Sequence, residues 1–274
     1  MFITTPNRWY IWRMKKYYFL VNLPRSGNTL FASIINQNPD VVVTAISPVC
    51  DILRANSECS DWEIIRHFPD TKSHENIMRG IIPNYYSHWT QSHIIDRYAW
   101  GRKTMVDLLK KYNTNEIKMI VLVRDIAEVI ASFIRISKTT NDNFIKRYGN
   151  TIEQQCEGLM TIDSQIGLAL DSIRNLLLPE NKGIAHFIEY NDLVKDPKKE
   201  INKVYDFLDI PKFDHRYVNL EQFEINGVKY NENVIGVDLH SIRTNSIKKA
   251  KYNVEDILPK HIIEKANTLN IWKQ

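Results

Sequence analysis

The chain has 274 residues, 43% hydrophobic and 25% charged, which is enough apolar side chain to bury a substantial core and excludes a disordered polypeptide. Thirty-six Lys and Arg against 32 Asp and Glu leave a formal charge of +4, a field too weak to mark a nucleic-acid binder but compatible with a small polyanionic ligand. Only nine glycines occur and no two lie two or five positions apart, so the G-x-G-x-x-G dinucleotide loop, the kinase glycine loop and the G-x-x-x-x-G-K-[ST] P-loop are all absent.

Residues 1–13 read as a loosely held N-terminal extension, and 14–274 as a single domain. Arg13, Lys15 and Lys16 precede an apolar run over 17–23, but that run is too short for a signal peptide and has no small-residue cleavage site. Its aromatic and β-branched content predicts a buried strand over 17–22. A loop over 23–28 follows, then a helix over 29–37 that Asn38-Pro39 stops, then a second strand over 40–44. The first and second strands should be parallel, with a right-handed crossover. Helical fragments occupy 61–68 and 73–86, within a polar and aromatic stretch over 48–92 that carries little periodic pattern. Trp62, Tyr85, Tyr86, Trp89, Tyr98 and Trp100 fall in or beside this stretch, which suits core packing, with an aromatic acceptor pocket as the alternative.

A short strand is predicted over 93–96 and an amphipathic helix over 102–112, with Met105, Leu108, Leu109 and Tyr112 on one face. The apolar run over 118–123 is the clearest buried strand, and a helix over 126–137 follows Arg124-Asp125. Residues 152–178 have the period of one long helix, ended by Pro179. Strand 185–190 and helix 198–208, opened by Pro197, complete the regular part, and the tail holds short helices near 255 and over 260–269. Strands alternating with helices and no internal repeat give an α/β fold, a three-layer arrangement with a central parallel sheet flanked by helices.

Cys50, Cys59 and Cys156 are an odd count without a C-x-x-C pair, which fits a reducing, cytoplasmic setting. No H-E-x-x-H occurs, and His88 and His93 are five apart, off the spacing of one helix face, so no metal is expected. No stretch approaches 18 apolar residues, so no membrane span is expected.

The chemistry concentrates after the first and the fourth strands. A strand leading through Leu23-Pro-Arg-Ser-Gly-Asn-Thr-Leu30 into a helix puts unpaired backbone N–H groups and a positive dipole end around an anion. Arg25 adds a bidentate cation, and Ser26, Asn28 and Thr29 add short donors beside Gly27 and Leu30. Arg124 arrives at the end of the 118–123 strand, and Ser132 and Arg135, three apart, share a face of the following helix.

Together these segments resemble the sulfotransferase family. The 23–30 segment is similar to its 5′-phosphosulfate loop, and Val123-Arg-Asp-Ile-Ala-Glu-Val-Ile-Ala-Ser132 is similar to its 3′-phosphate segment, including the spacing from arginine to serine. Ile188-Glu-Tyr-Asn-Asp-Leu-Val-Lys-Asp-Pro197 is similar to the stretch whose tyrosine contacts the nucleotide, and Leu239-His-Ser-Ile-Arg243 to the C-terminal loop of bacterial members. The resemblance covers about residues 17 to 271 and implies a P-loop-like fold. It further implies transfer of the sulfuryl group of 3′-phosphoadenosine 5′-phosphosulfate (PAPS) to a hydroxyl or amine, releasing 3′-phosphoadenosine 5′-phosphate (PAP). By residue it implies that Arg25 and the 26–30 backbone hold the phosphosulfate, Arg124 and Ser132 the 3′-phosphate, and that Tyr190 and Arg243 line the nucleotide. The acceptor would be a small molecule, a glycan or a lipid. A small-molecule kinase is the alternative enzyme, although the missing Gly-Lys-[ST] triplet opposes it, and a nucleotide-binding protein without turnover is the non-enzymatic alternative.

The general base is the open position. Several family members place a glutamate shortly after the first βα unit, where this chain reads Thr44-Ala-Ile-Ser-Pro-Val-Cys-Asp51 with no glutamate. Asp51 is the nearest carboxylate there, while Asp96, close to His93 and Arg97, falls where cytosolic members carry a catalytic histidine. Asp96, Asp51 and His93 are therefore the candidates to accept the acceptor's proton.

Overall fold

The computed structural model describes residues 15–68, 70–113, 115–138, 144–221, 224–225, 228–229, 247 and 252–273. In chain order the elements begin with β1 (Lys16–Asn22), α1 (Asn28–Ile35), β2 (Val41–Ile46), α2 (Val49–Glu58), α3 (Glu63–His67) and α4 (Thr71–Tyr85). They continue with β3 (His93–Arg97), α5 (Lys103–Tyr112), β4 (Met119–Val123), α6 (Ile126–Ser137), α7 (Ile152–Leu159) and α8 (Gln165–Leu176). The last are β5 (Ala185–Glu189), α9 (Tyr190–Lys195), α10 (Pro197–Leu208), the short strands β6 (Glu224–Ile225) and β7 (Val228–Lys229), and α11 (Lys260–Asn267).

β1 to β5 make one parallel sheet in the order β2-β3-β1-β4-β5, with β1 at its centre. Side chains alternate across a strand, and the burial follows that alternation. Tyr17, Phe19 and Val21 of β1 join Met119, Val121 and Val123 of β4 on one face, under α2, α4, α5, α6, α8 and α11. Tyr18 and Leu20 join Ile120 and Leu122 on the other, under α1 and α10. All five β4 residues are buried, which is why that strand reads as a continuous apolar run and not as an alternating one. The three-layer α/β fold expected from the sequence is thus the observed one.

β1 and β2 are parallel members of the sheet as expected, but β3 lies between them. α1 is tied to β2 by Asn36, whose Nδ2 donates to the Val43 carbonyl at 3.1 Å while its Oδ1 accepts from the Val43 N–H at 2.7 Å. The periodic run over 152–178 is two helices and not one. Ser164 breaks it: its Oγ donates to the Leu159 carbonyl at 2.5 Å and accepts from the Gly167 N–H at 2.9 Å, capping α8. Gly167 sits where the two helices meet, and a Cβ there would lie 2.1 Å from the Thr161 carbonyl oxygen. α2 and α9 had no clear sequence signal, and Tyr190 opens a helix where the sequence reading ended a strand. No helix among the described residues is long and apolar enough to cross a membrane.

Leu122 is fully buried in the second core layer. Leu122→Ala should lower the unfolding free energy by about 2–5 kcal/mol with an unchanged denaturant slope, read from urea titrations.

Candidate anion-binding site at the carboxyl end of the sheet

β1 and β4 are hydrogen-bonded neighbours running the same way, so the segments leaving their carboxyl ends emerge side by side. The Leu23 N–H extends the ladder by one bond, to the Leu122 carbonyl at 2.9 Å. The chain then turns sharply, with Arg25 at φ 60° and Gly27 at φ 89°, both in the left-handed region. Gly27 is required twice over, because a Cβ in its place would also lie 2.9 Å from Cδ2 of Tyr190. Ser26 Oγ donates to the Leu23 carbonyl at 2.6 Å and Asn28 Nδ2 to the same carbonyl at 3.3 Å. In this structure both side chains donate inward and brace the turn. What the loop presents is the α1 N-terminus, which has no side-chain cap and no acidic residue in its first turn, with Thr29 and Leu30 part-exposed beside it.

The second segment closes on the first. Arg25 Nε donates to Ser132 Oγ at 3.2 Å across 107 positions of sequence. Asp125 caps α6 by accepting from the Ala127 N–H at 3.0 Å, which fixes the backbone that carries Arg124. Arg124 is 5% exposed, and each of its three side-chain nitrogens makes a hydrogen bond. Its Nε donates to Glu128 Oε2 at 2.9 Å, Nη1 to the Arg25 carbonyl at 3.0 Å, and Nη2 to the Tyr252 hydroxyl at 3.0 Å. Its guanidinium lies 4.3 Å from the Tyr190 ring centroid, which places Tyr190 between Arg124 and Gly27. Arg25, Gly27, Arg124, Ser132 and Tyr190, named separately from the sequence, therefore share one locus. Arg135 reaches its edge, 4.6 Å from the Tyr252 ring. Arg243 and its loop over 239–243 lie outside the described residues, as do residues 1–13.

Two residues of this locus carried no sequence signal. Glu128 is an ordinary helix-surface residue until the fold turns it onto Arg124, and Tyr252 comes from an unpatterned tail. Arg97, named above beside Asp96, stands at the carboxyl end of β3, where its Nε donates to Asn22 Oδ1 at 3.3 Å.

The three base candidates separate by position. Asp96 is 1% exposed and accepts from Ser47 Oγ at 2.5 Å, from Trp100 Nε1 at 2.5 Å and from the Tyr86 hydroxyl. Burial pushes its carboxyl up to about 6, against the opposing pull of those three donors. Asp51, in the first turn of α2, keeps its side chain 49% exposed, beside Arg54 at 3.7 Å. His93 begins β3, paired in register with Lys16 at the amino end of β1, so the structure puts it at the opposite end of the sheet from the loop. Of the aromatic residues noted above, Tyr86 and Trp100 are buried in the core and Trp62 is exposed.

The fold is thus α/β, and at the carboxyl end of its sheet a turn with one glycine meets two arginines. The model of the sulfotransferase domain family matches residues 15–253, most of the chain, and the protein belongs to that family. Its chemistry is accordingly sulfonate transfer. The fold is similar to the sulfotransferase domain from the curacin biosynthetic pathway (TM-score 0.55, 16% identity, covering 93% of this chain and 96% of that one). It is also similar to the sulfotransferase domain of the Synechococcus PCC 7002 olefin synthase (TM-score 0.52, 18% identity, 93% and 94% covered). A third likeness is to mouse sulfotransferase SULT7A1 complexed with PAP (TM-score 0.54, 17% identity, 93% and 82% covered). No group of three or more His, Cys, Asp or Glu among the described residues could hold a metal ion.

Asp96 also gives a pH prediction. A carboxyl raised from about 3.9 in the unfolded chain to about 6 in the fold adds stability that is complete below the lower value and lost as pH rises through the upper one. Urea midpoints measured from pH 4 to 7 should therefore fall with pH more steeply in the wild type than in Asp96→Asn, and equal slopes would show that Asp96 does not titrate this way.

Proposed function

We propose that the protein transfers the sulfuryl group of PAPS to a hydroxyl or amine acceptor by in-line displacement, releasing PAP. The observation that carries this reading is the contact of Arg25 with Ser132, because it joins the loop assigned to the 5′-phosphosulfate to the segment assigned to the 3′-phosphate. The uncapped α1 N-terminus suits an anion, and Gly27 lets backbone approach it closely. The donor set fits the group: backbone N–H groups and arginines, with no carboxylate in the first turn of α1.

In the reaction the acceptor oxygen or nitrogen forms a bond to sulfur as the bond from sulfur to the bridging phosphate oxygen breaks, and the acceptor's proton passes to a protein base. Arg25 and the α1 N–H groups hold the charge that develops on the departing phosphate. Arg124 and Ser132 hold the 3′-phosphate, and Tyr190 and Arg243 line the nucleotide. Most of the catalysis is positioning and charge neutralisation, with little covalent work by the chain. We assign the base to Asp51, the one candidate carboxylate whose side chain is half exposed, in the helix that leaves the carboxyl end of β2. Asp96, enclosed by three donors, is assigned to hold Ser47, Tyr86 and Trp100 in place. The acceptor is placed among small molecules, glycans and lipids, and the three free cysteines agree with a reducing compartment such as the cytoplasm.

Thermal-shift titration tests the donor. PAP at 100 times its dissociation constant should stabilise the fold by about 2.7 kcal/mol, and ATP with Mg²⁺ by much less. Arg25→Ala and Arg124→Ala should each weaken PAP binding by about tenfold or more. Preference for ATP would favour a kinase, and full PAP binding by both variants would misplace the site. Turnover, followed with labelled donor against a panel of glycans, lipids, phenols and peptides, should fall by about 10² or more in Asp51→Asn while PAP affinity stays unchanged. Loss of both together would remove Asp51 from the base role, and no transfer to any acceptor would favour a binding protein.

A further inference from the structure

A guanidinium has five N–H donors in a fixed plane, and three of those of Arg124 are committed to Glu128, the Arg25 carbonyl and Tyr252. Tyr190 covers one face. The Glu128 partner is itself largely enclosed, its side chain 15% exposed against 6% for Arg124. Tyr252 is oriented as well: its hydroxyl donates to the Glu128 carbonyl at 3.2 Å, so its oxygen lone pair faces Arg124, while its ring lies against Arg135.

The C-terminal segment that carries Tyr252 is anchored on the same ground. Asn270 Oδ1 accepts from the Ile126 N–H at 3.0 Å and its Nδ2 donates to Asp125 at 2.9 Å, so residues flanking Arg124 are held from behind. Trp272 Nε1 donates to Glu189 at 3.3 Å, next to Tyr190. Tyr252, Asp125, Ile126 and Glu189, all beside Arg124 or its partners, are thus themselves held by hydrogen bonds.

We infer that Glu128 and Tyr252 are positioning residues for the donor, holding Arg124 so that one further N–H on each terminal nitrogen meets the 3′-phosphate. Glu128 also sets the strength of that meeting. An arginine already neutralised by a carboxylate at hydrogen-bond distance binds a second anion less tightly than an unpaired one, so the charge of Glu128 moderates the preference for a 3′-phosphorylated nucleotide. Tyr252 contributes orientation without charge. This rests on the assignment of the 3′-phosphate to Arg124 made above.

The two roles are separable by substitution. Glu128→Gln keeps a carbonyl acceptor for Nε and removes the charge, whereas Tyr252→Phe keeps the ring under Arg135 and removes the acceptor for Nη2. The measurement is calorimetric titration of wild type and both variants with PAP and with adenosine 5′-phosphate, which lacks the 3′-phosphate. The readout is the ratio of the two dissociation constants, which a change in general stability does not move. Wild type should prefer PAP. Glu128→Gln should widen that preference by about tenfold and Tyr252→Phe should narrow it by about tenfold, with adenosine 5′-phosphate binding within about twofold throughout. A wild type without preference overturns the 3′-phosphate assignment and this inference with it. A wild type that prefers PAP, with a ratio unchanged in both variants or with both nucleotides weakened equally, overturns the inference alone. Should Glu128→Gln fail to fold, Tyr252→Phe decides by the same ratio.

Discussion

The parallel pairing of β1 with β4 is the constraint on which the site depends. Parallel neighbours leave the sheet at the same end, so two strand-to-helix turns far apart in sequence open beside each other. The Leu23 bond to Leu122 carries the pairing to the edge of the loop, and Arg25 then spans the gap to Ser132. The continuous burial of β4 on both faces helps hold the second turn at the level of the first.

Arg124 and Asp96 are both buried at this end of the sheet, and the fold treats them differently. Burying a charge is costly unless its hydrogen-bonding groups are met. Arg124 is met by a carboxylate, a backbone carbonyl, a hydroxyl and an aromatic face, drawn from both sides of the locus. Asp96 is met only by neutral donors, and its carboxyl is pushed toward the protonated form. The first arrangement keeps a permanent cation beside the loop that follows β1. The second ties the segment after β2, the end of α4 and the turn after β3 into one piece.

Local pattern made most of the scaffold legible. The strands at 17–22 and 118–123 declare themselves by apolar runs, and α6 by its spacing of buried residues after Arg124-Asp125. Where local pattern misled, a specific side chain explains it. The helical period from 152 to 178 continues across a break that Ser164 makes by bonding backbone groups, and periodicity does not register a cap. The stretch over 48–92 gave little pattern because α3 has no buried residue and α4 has few, so no apolar face repeats.

What the sequence determined by itself was the chemistry available: a single-glycine turn with Arg25, an arginine and a serine eight positions apart, and strands to present both. These are short-range features, set by backbone sterics and by the periods of helix and strand. Only the tertiary structure decided which groups complete the site. Tyr252 meets Arg124 across 128 positions, Glu128 becomes an ion-pair partner by burial, Asp96 is enclosed, and His93 goes to the far end of the sheet. Strand order and helix docking set those distances, because a contact across the chain depends on where whole elements pack and leaves no local trace in the residues that make it.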